Sequence, residues 1–78
     1  MISINSQQFA SLKSQNIPSD LDPCFLGDIN FMKENYGIAT IAVYKFGDEY
    51  QADVLELDAL TDLEIDDIRT QATIIELV

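Results

Sequence analysis

Apolar residues recur along the chain in two periods, one helical and one extended, and the changes between them mark successive elements. Between Asn5 and Asn16, Phe9, Ala10 and Leu12 form a narrow helical stripe, Asn5 and Gln8 have the spacing of a capping box, and Ile17-Pro18 ends the run. After a loop at residues 18–22, Asp22-Pro23 reads as an N-cap followed by proline at the first helical position, where the missing N–H would have had no partner anyway. Phe25, Ile29, Met32 and Tyr36 then follow at helical spacing up to Gly37, which predicts a second helix. Gly27 leaves an alternative open. Inside a helix it costs about 1 kcal/mol, whereas Gly27-Asp28 could be the turn of a small hairpin between Cys24-Phe25-Leu26 and Ile29-Asn30-Phe31.

The run Ile38 to Phe46 is rich in Ile, Val, Tyr and Phe, and Gly47-Asp48 separates it from a second run, Glu49 to Leu57. Together they predict a β-hairpin with a tight, glycine-first turn. Alternation places Tyr50, Ala52 and Val54 on one face but Leu55 and Leu57 on the other, so the second strand is either covered on both faces or bulged near Val54-Leu55. Thr61-Asp62-Leu63-Glu64 fits a capping box that opens a third helix, running to about Ala72 with Ile65, Ile68 and Ala72 inward. Acids at its start and Arg69 toward its end suit the helix dipole. The β-branched run Thr73 to Val78 adds a strand to the hairpin. The order predicts one α+β domain over residues 1–78: a small antiparallel sheet, three-stranded and built on the hairpin, with helices packed on one face. Phe9, Phe25, Phe31 and Met32 are its expected core, and Cys24 is expected to be a buried, inert thiol.

Length limits what such a domain can be. At 78 residues there is material for one hydrophobic core, and a domain near this size buries only about 60% of the surface its unfolded chain exposes. A partner protein or a second copy of the chain is the natural supplement to so thin a core. An apolar fraction of 47% separates the chain from acidic disordered tails. A single cysteine excludes an intrachain disulfide and a cysteine-based zinc site, which suits a reducing cytosol. The start, Met1-Ile2-Ser3-Ile4-Asn5-Ser6, lacks the basic and apolar segments of a signal peptide, and no window approaches the ~18 apolar residues of a membrane span. A soluble, cytoplasmic protein is expected.

The sequence is poor in catalytic chemistry. With no histidine, the Ser-His-Asp and Cys-His arrangements are excluded, and Cys24 has no neighbouring cation to lower its pKa. Gly27, Gly37 and Gly47 are too widely spaced to cradle a phosphate. Asp62, Glu64 and Asp66 have the alternate spacing of a calcium loop, but Asp67 stands where that loop needs glycine and Thr73 where it needs its bidentate glutamate. Glu56 and Asp58 could pair for acid-base work, yet nothing in the pattern encloses them. The expectation is a non-enzymatic protein with no cofactor and no metal.

Charge changes the picture most. Fourteen acids face four bases, a net charge of −10, which opposes direct contact with nucleic acid or an anionic membrane and favours a basic protein partner. The excess is lopsided: residues 1–47 hold four acids and three bases, whereas residues 48–78 hold ten acids and one base. On the expected elements, Asp53, Glu56 and Asp58 run along and off the second hairpin strand, while Asp62, Asp66 and Asp67, with Glu64, project from the following helix. Alternate strand residues lie about 6.5–7 Å apart and a helical turn rises ~5.4 Å, spacings comparable to phosphates along a nucleic acid strand. Such a surface can imitate a phosphate backbone and occupy a groove lined with Lys and Arg, with Tyr44 and Tyr50 as directional contacts at its edge. A solvated face that serves solubility alone has the same composition.

The segment Ile41-Ala42-Val43-Tyr44, two residues, Gly47, then Ala52 and Val54 resembles the central hairpin of a small phage anti-CRISPR protein that inhibits the type I-F surveillance complex. The match is confined to this hairpin, which in that family lies nearer the amino terminus. The resemblance implies a phage-encoded protein that binds the crRNA-carrying Cas backbone of the effector and keeps target DNA from pairing with the guide. Tyr44 coincides with a family tyrosine that contacts the target; the family's contacting glutamate falls at Leu55, with Glu56 one residue away. Two other classes share these electrostatics or this size: an immunity protein or antitoxin that neutralises a nuclease, and a small phage assembly protein whose strand Thr73 to Val78 pairs with another subunit.

Overall fold

A computed structural model describes residues 1–78. In chain order the elements are β1 (Ile2–Ile4), α1 (Ser6–Lys13), α2 (Pro23–Tyr36), β2 (Ala39–Phe46), β3 (Glu49–Leu55), a single 3₁₀ turn (Leu57–Ala59), α3 (Asp62–Gln71) and β4 (Ala72–Leu77). The four strands form one sheet in the order β1-β3-β2-β4, with every neighbouring pair antiparallel. The α+β class and the hairpin at its centre are as the sequence predicts. The fourth strand is new: Ile2-Ser3-Ile4 is too short to read as a strand alone, but it pairs along β3, with Ile2 opposite Ala52 and Ile4 opposite Tyr50.

Local chemistry accounts for the element ends. The Asn5 side chain accepts from the Gln8 N–H at 2.7 Å while the Gln8 side chain accepts from the Asn5 N–H at 2.8 Å, closing the capping box of α1. Asp22 Oδ1 accepts from the N–H groups of Cys24 and Phe25, and Pro23 occupies the first turn. The region is one helix through Gly27, so the alternative turn at Gly27-Asp28 is not formed; α2 ends at Gly37, whose φ of 77° is the left-handed C-cap. Gly47 has φ 63° and Asp48 does not share the positive φ, the pattern of a glycine-first two-residue turn that sets Phe46 opposite Glu49.

The hairpin register runs without a bulge from Phe46–Glu49 to Thr40–Leu55. Of the two possibilities for β3, cover on both faces is the one realised. One face carries Ala39, Ile41 and Val43 of β2, Ala52 of β3 and Ile75 and Leu77 of β4, and packs on Leu12, Leu21, Phe25, Ile29 and Met32 from α1, α2 and the loop between them. Leu12, Ile29, Ile41 and Leu77 are fully buried, each supporting the fold by about 1.5–3 kcal/mol. The other face carries Thr40, Ala42 and Leu55, which are also buried. Since β3 and β4 run parallel on either side of β2, their connection must cross the sheet, and it lays α3 over this second face with Leu60, Ile65 and Ile68 half-buried.

Two residues expected to be buried, Phe31 and Cys24, lie outside, and so does Tyr36 at the end of the α2 stripe. Phe31 is 58% exposed and Tyr36 54%, because Phe31 stands off the helix line set by Phe25, Ile29 and Met32, and Tyr36 lies on that line but in the last turn. Cys24 is exposed rather than buried, in the first turn of α2. One residue departs from the usual backbone: Gln15, with φ 69°, follows α1 where glycine commonly stands. Its own N–H bonds Leu12 C=O and the next N–H, of Asn16, bonds Ser11 C=O, and its side-chain amide reaches 61 residues along the chain to bond β4.

Candidate functional site

The acidic half divides into three places. Asp53 lies on the α3 side of the sheet opposite Ala42, with the chain's amino group 3.8 Å from its Oδ1. Glu56 and Asp58 leave the end of β3 and the 3₁₀ turn, at the open end of α2. Asp62, Glu64, Asp66 and Asp67 are exposed on α3. On that helix the half-buried Ile65 and Ile68 face the sheet, which puts Leu63, 81% exposed, near the middle of the outer face. Asp62 and Asp66, one turn apart, flank Leu63 on one side, and Glu64 and Asp67 on the other. Thr61 Oγ1 accepts from the Glu64 N–H at 3.2 Å and pairs with the Glu64 carboxylate at 3.1 Å, which fixes the first turn. Asp67 Oδ2 accepts from Gln71 Nε2 at 3.4 Å.

Asp53 is the one acid with a positive group within 4.0 Å, so nine acids of residues 48–78 stand without a counter-ion on the chain. One base shares α3 with the acids, Arg69 in its last turn, but it forms no ion pair within 4.0 Å, and Lys13 lies over the Phe9 ring at 4.3 Å from its centre. No three of the acids and Cys24 converge in a geometry able to hold a metal ion.

The two tyrosines expected at the edge of this surface part company. Tyr44 lies on the α3 side, beside Ala72 and Gln51, half-buried and stacked with Phe46 at 6.3 Å between ring centres. Tyr50 lies on the opposite side of the sheet, its ring 4.8 Å from that of Phe9 and packed on the main core. Strand alternation separates them: Tyr50 stands opposite Lys45, one residue out of phase with Tyr44. Tyr50 is therefore removed from the acidic group.

Phe31 and Tyr36 take the place of Tyr50 among the acids. Two shallow cavities of about 130 and 110 Å³ share Met32 and Glu56 and form one groove between α2 and the end of β3. Its floor is apolar, with Ile38, Val54 and Met32, and its rim carries Phe31, Tyr36 and Leu57 together with Asp28, Glu56 and Asp58. The groove can seat the aliphatic stem of a long side chain while its carboxylates and ring faces hold a cationic head. Helical periodicity hides Tyr36, which shares the phase of the core residues, whereas Phe31 lies about 100° round the helix from Met32, off the core stripe, and that offset is the signal of its exposure.

No helix is long and apolar enough to cross a membrane. Comparison with protein-family models, with curated proteins and with solved structures found no match for this chain.

Proposed function

We propose that this chain is a non-enzymatic inhibitor that binds a basic, nucleic-acid-binding surface of another protein and keeps nucleic acid from it. The observation that carries the reading is the set of nine acids in residues 48–78 without a counter-ion, four of them on one short helix around an exposed leucine. Carboxylates held at helical and strand spacings offer Lys and Arg side chains what phosphates offer, and their field speeds association. The groove adds direction: Glu56 and Asp58 beside exposed Phe31 and Tyr36 suit an arginine or lysine projecting from that partner. Asp62, Asp66 and Asp67 supply charge on α3, Asp53 and Tyr44 lie on the same side of the sheet, and Tyr50 acts through the fold.

The hairpin resemblance gives the reading its most specific form, a phage anti-CRISPR that occupies the DNA-binding surface of a type I-F surveillance complex in the host cytoplasm. The test is fluorescence anisotropy of labelled target DNA on the crRNA-loaded complex, titrated with this protein. The expected result is displacement of the DNA, weakened by salt and abolished when Asp62, Asp66 and Asp67 are changed together to lysine, with the circular dichroism spectrum unchanged. DNA that stays bound at saturating protein removes the anti-CRISPR form. Displacement undiminished by the triple change removes the acidic face as its cause.

A further inference from the structure

β4 is an outer strand, and the hairpin turn settles which of its backbone groups face outward. Phe46 and Glu49 close a two-residue turn, so the even-numbered residues of β2 direct their N–H and C=O toward β3 and the odd-numbered ones toward β4. Ala39, Ile41 and Val43 accordingly bond to Leu77, Ile75 and Thr73. The backbone groups of Ala72, Ile74, Glu76 and Val78 point away from the sheet. The Gln15 side chain agrees with this phase: its Nε2 donates to the Glu76 carbonyl at 2.7 Å and its Oε1 accepts from the Val78 N–H at 3.1 Å.

Some of these outward groups are satisfied within the chain and some are not. The Ala72 N–H donates to the Ile68 carbonyl at the end of α3, and Gln15 takes the Glu76 C=O and the Val78 N–H. The Ala72 C=O, the Ile74 N–H and C=O, and the Glu76 N–H are left. These four groups form a self-complementary set. In an antiparallel pairing centred on Ile74, the two Ile74 residues exchange two hydrogen bonds, and each Glu76 N–H meets the Ala72 C=O of the other chain. The bond that a regular ladder would add at each end, from the Ala72 N–H to the Glu76 C=O, joins the two groups that are already occupied.

We propose that β4 pairs with β4 of a second copy about a two-fold axis at Ile74, joining two four-stranded sheets into one of eight strands. The central segment, Ala72-Thr73-Ile74-Ile75-Glu76, carries one charge per chain. The two Glu76 residues lie at opposite ends of the pairing, about 14 Å apart at ~3.4 Å per residue, beyond the screening length of physiological salt. A strand of this composition with free edge groups is a ready template for another strand, and Gln15 sets the limit of the pairing at Glu76. The remaining charge of each chain opposes approach, so salt strengthens this association, the reverse of its effect on a basic partner.

The experiment is hydrogen exchange of the wild-type chain from low to high concentration, beside sedimentation velocity on the same samples. The expected result is a dimer that grows with concentration and with salt, in which the Ile74 and Glu76 amides become protected while Thr73, Ile75 and Leu77, bonded to β2, are protected throughout. Ile74→Pro removes the outward N–H at an edge position that tolerates proline, along with a half-buried side chain, and is expected to return the chain to monomer. Should that variant fail to fold, the wild-type exchange data decide alone. A monomer at all concentrations, or a dimer whose Ile74 and Glu76 amides exchange as freely as in the dilute protein, overturns the proposal.

Discussion

Replacing Gln15 by alanine and by glycine separates two effects that meet at one residue. Its side-chain amide makes two solvent-exposed hydrogen bonds to the edge of β4, and its backbone holds φ 69°, a region costly for a residue with a Cβ. Exposed bonds of this kind contribute about 0.5–1 kcal/mol each, and the left-handed backbone costs about 1 kcal/mol. Gln15→Ala loses both bonds and keeps the strain, so it should destabilise by about 1–2 kcal/mol, lowering Tm by about 5–12 °C for a domain of this length. Gln15→Gly loses the same bonds but relieves the strain, and should cost about 0–1 kcal/mol. The informative result is the order, glycine above alanine by about 1 kcal/mol, the reverse of their ranking inside a helix. Thermal and urea unfolding followed by circular dichroism read it directly. Alanine as stable as glycine would refute the assignment of strain, and alanine as stable as the parent would show that the clip to β4 contributes nothing.

The same backbone reasoning predicts opposite signs at two glycines, read by thermal unfolding. A Cβ at Gly27 meets nothing within 4 Å, and its helical backbone suits alanine, so Gly27→Ala should stabilise by about 0.5–1 kcal/mol. A Cβ at Gly47 meets nothing either, but φ 63° makes Gly47→Ala destabilising by about 1–2 kcal/mol. Ile29 is fully buried between α2 and the sheet, and urea unfolding of Ile29→Ala should show a loss of about 2–5 kcal/mol with an unchanged m-value. In the DNA-displacement assay, Phe31→Ala with Tyr36→Ala should weaken the protein at least tenfold with Tm nearly unchanged, whereas Tyr50→Ala should lower Tm through loss of its packing on Phe9. Equal displacement by the parent and the groove variant would count against a role for the groove.

What was legible in the sequence was encoded within a few residues. The Asn5–Gln8 box, Asp22-Pro23 at the start of α2, Gly37 at its end, the Gly47-Asp48 turn and Thr61 at the start of α3 each state their geometry within four positions along the chain. Strand alternation likewise located Leu55 on the face opposite Val54, leaving only the reason open. The uneven charge was legible because it needs no geometry. The groove was not, since it joins α2 to the end of β3 across more than twenty residues, and Tyr36 carries the phase of a core residue.

By itself, then, the chain's order of residues determined the element types, the hairpin and its turn, and the concentration of negative charge in the second half. These depend on hydrogen bonds and dihedral preferences of near neighbours, whose energies hold in almost any surroundings. Only the tertiary structure decided that Ile2-Ser3-Ile4 is a strand, that α3 covers the second face of the sheet, that Tyr36 and Cys24 stand outside, and that Phe31 and Tyr36 line one groove with Glu56 and Asp58. Each of these is settled by what packs beside a residue rather than by what precedes it. Gln15 is the clearest case: the backbone bonds that close α1 set its left-handed φ, where glycine commonly stands, and only the fold brings up the β4 edge whose carbonyl and N–H bond the side chain that glycine lacks.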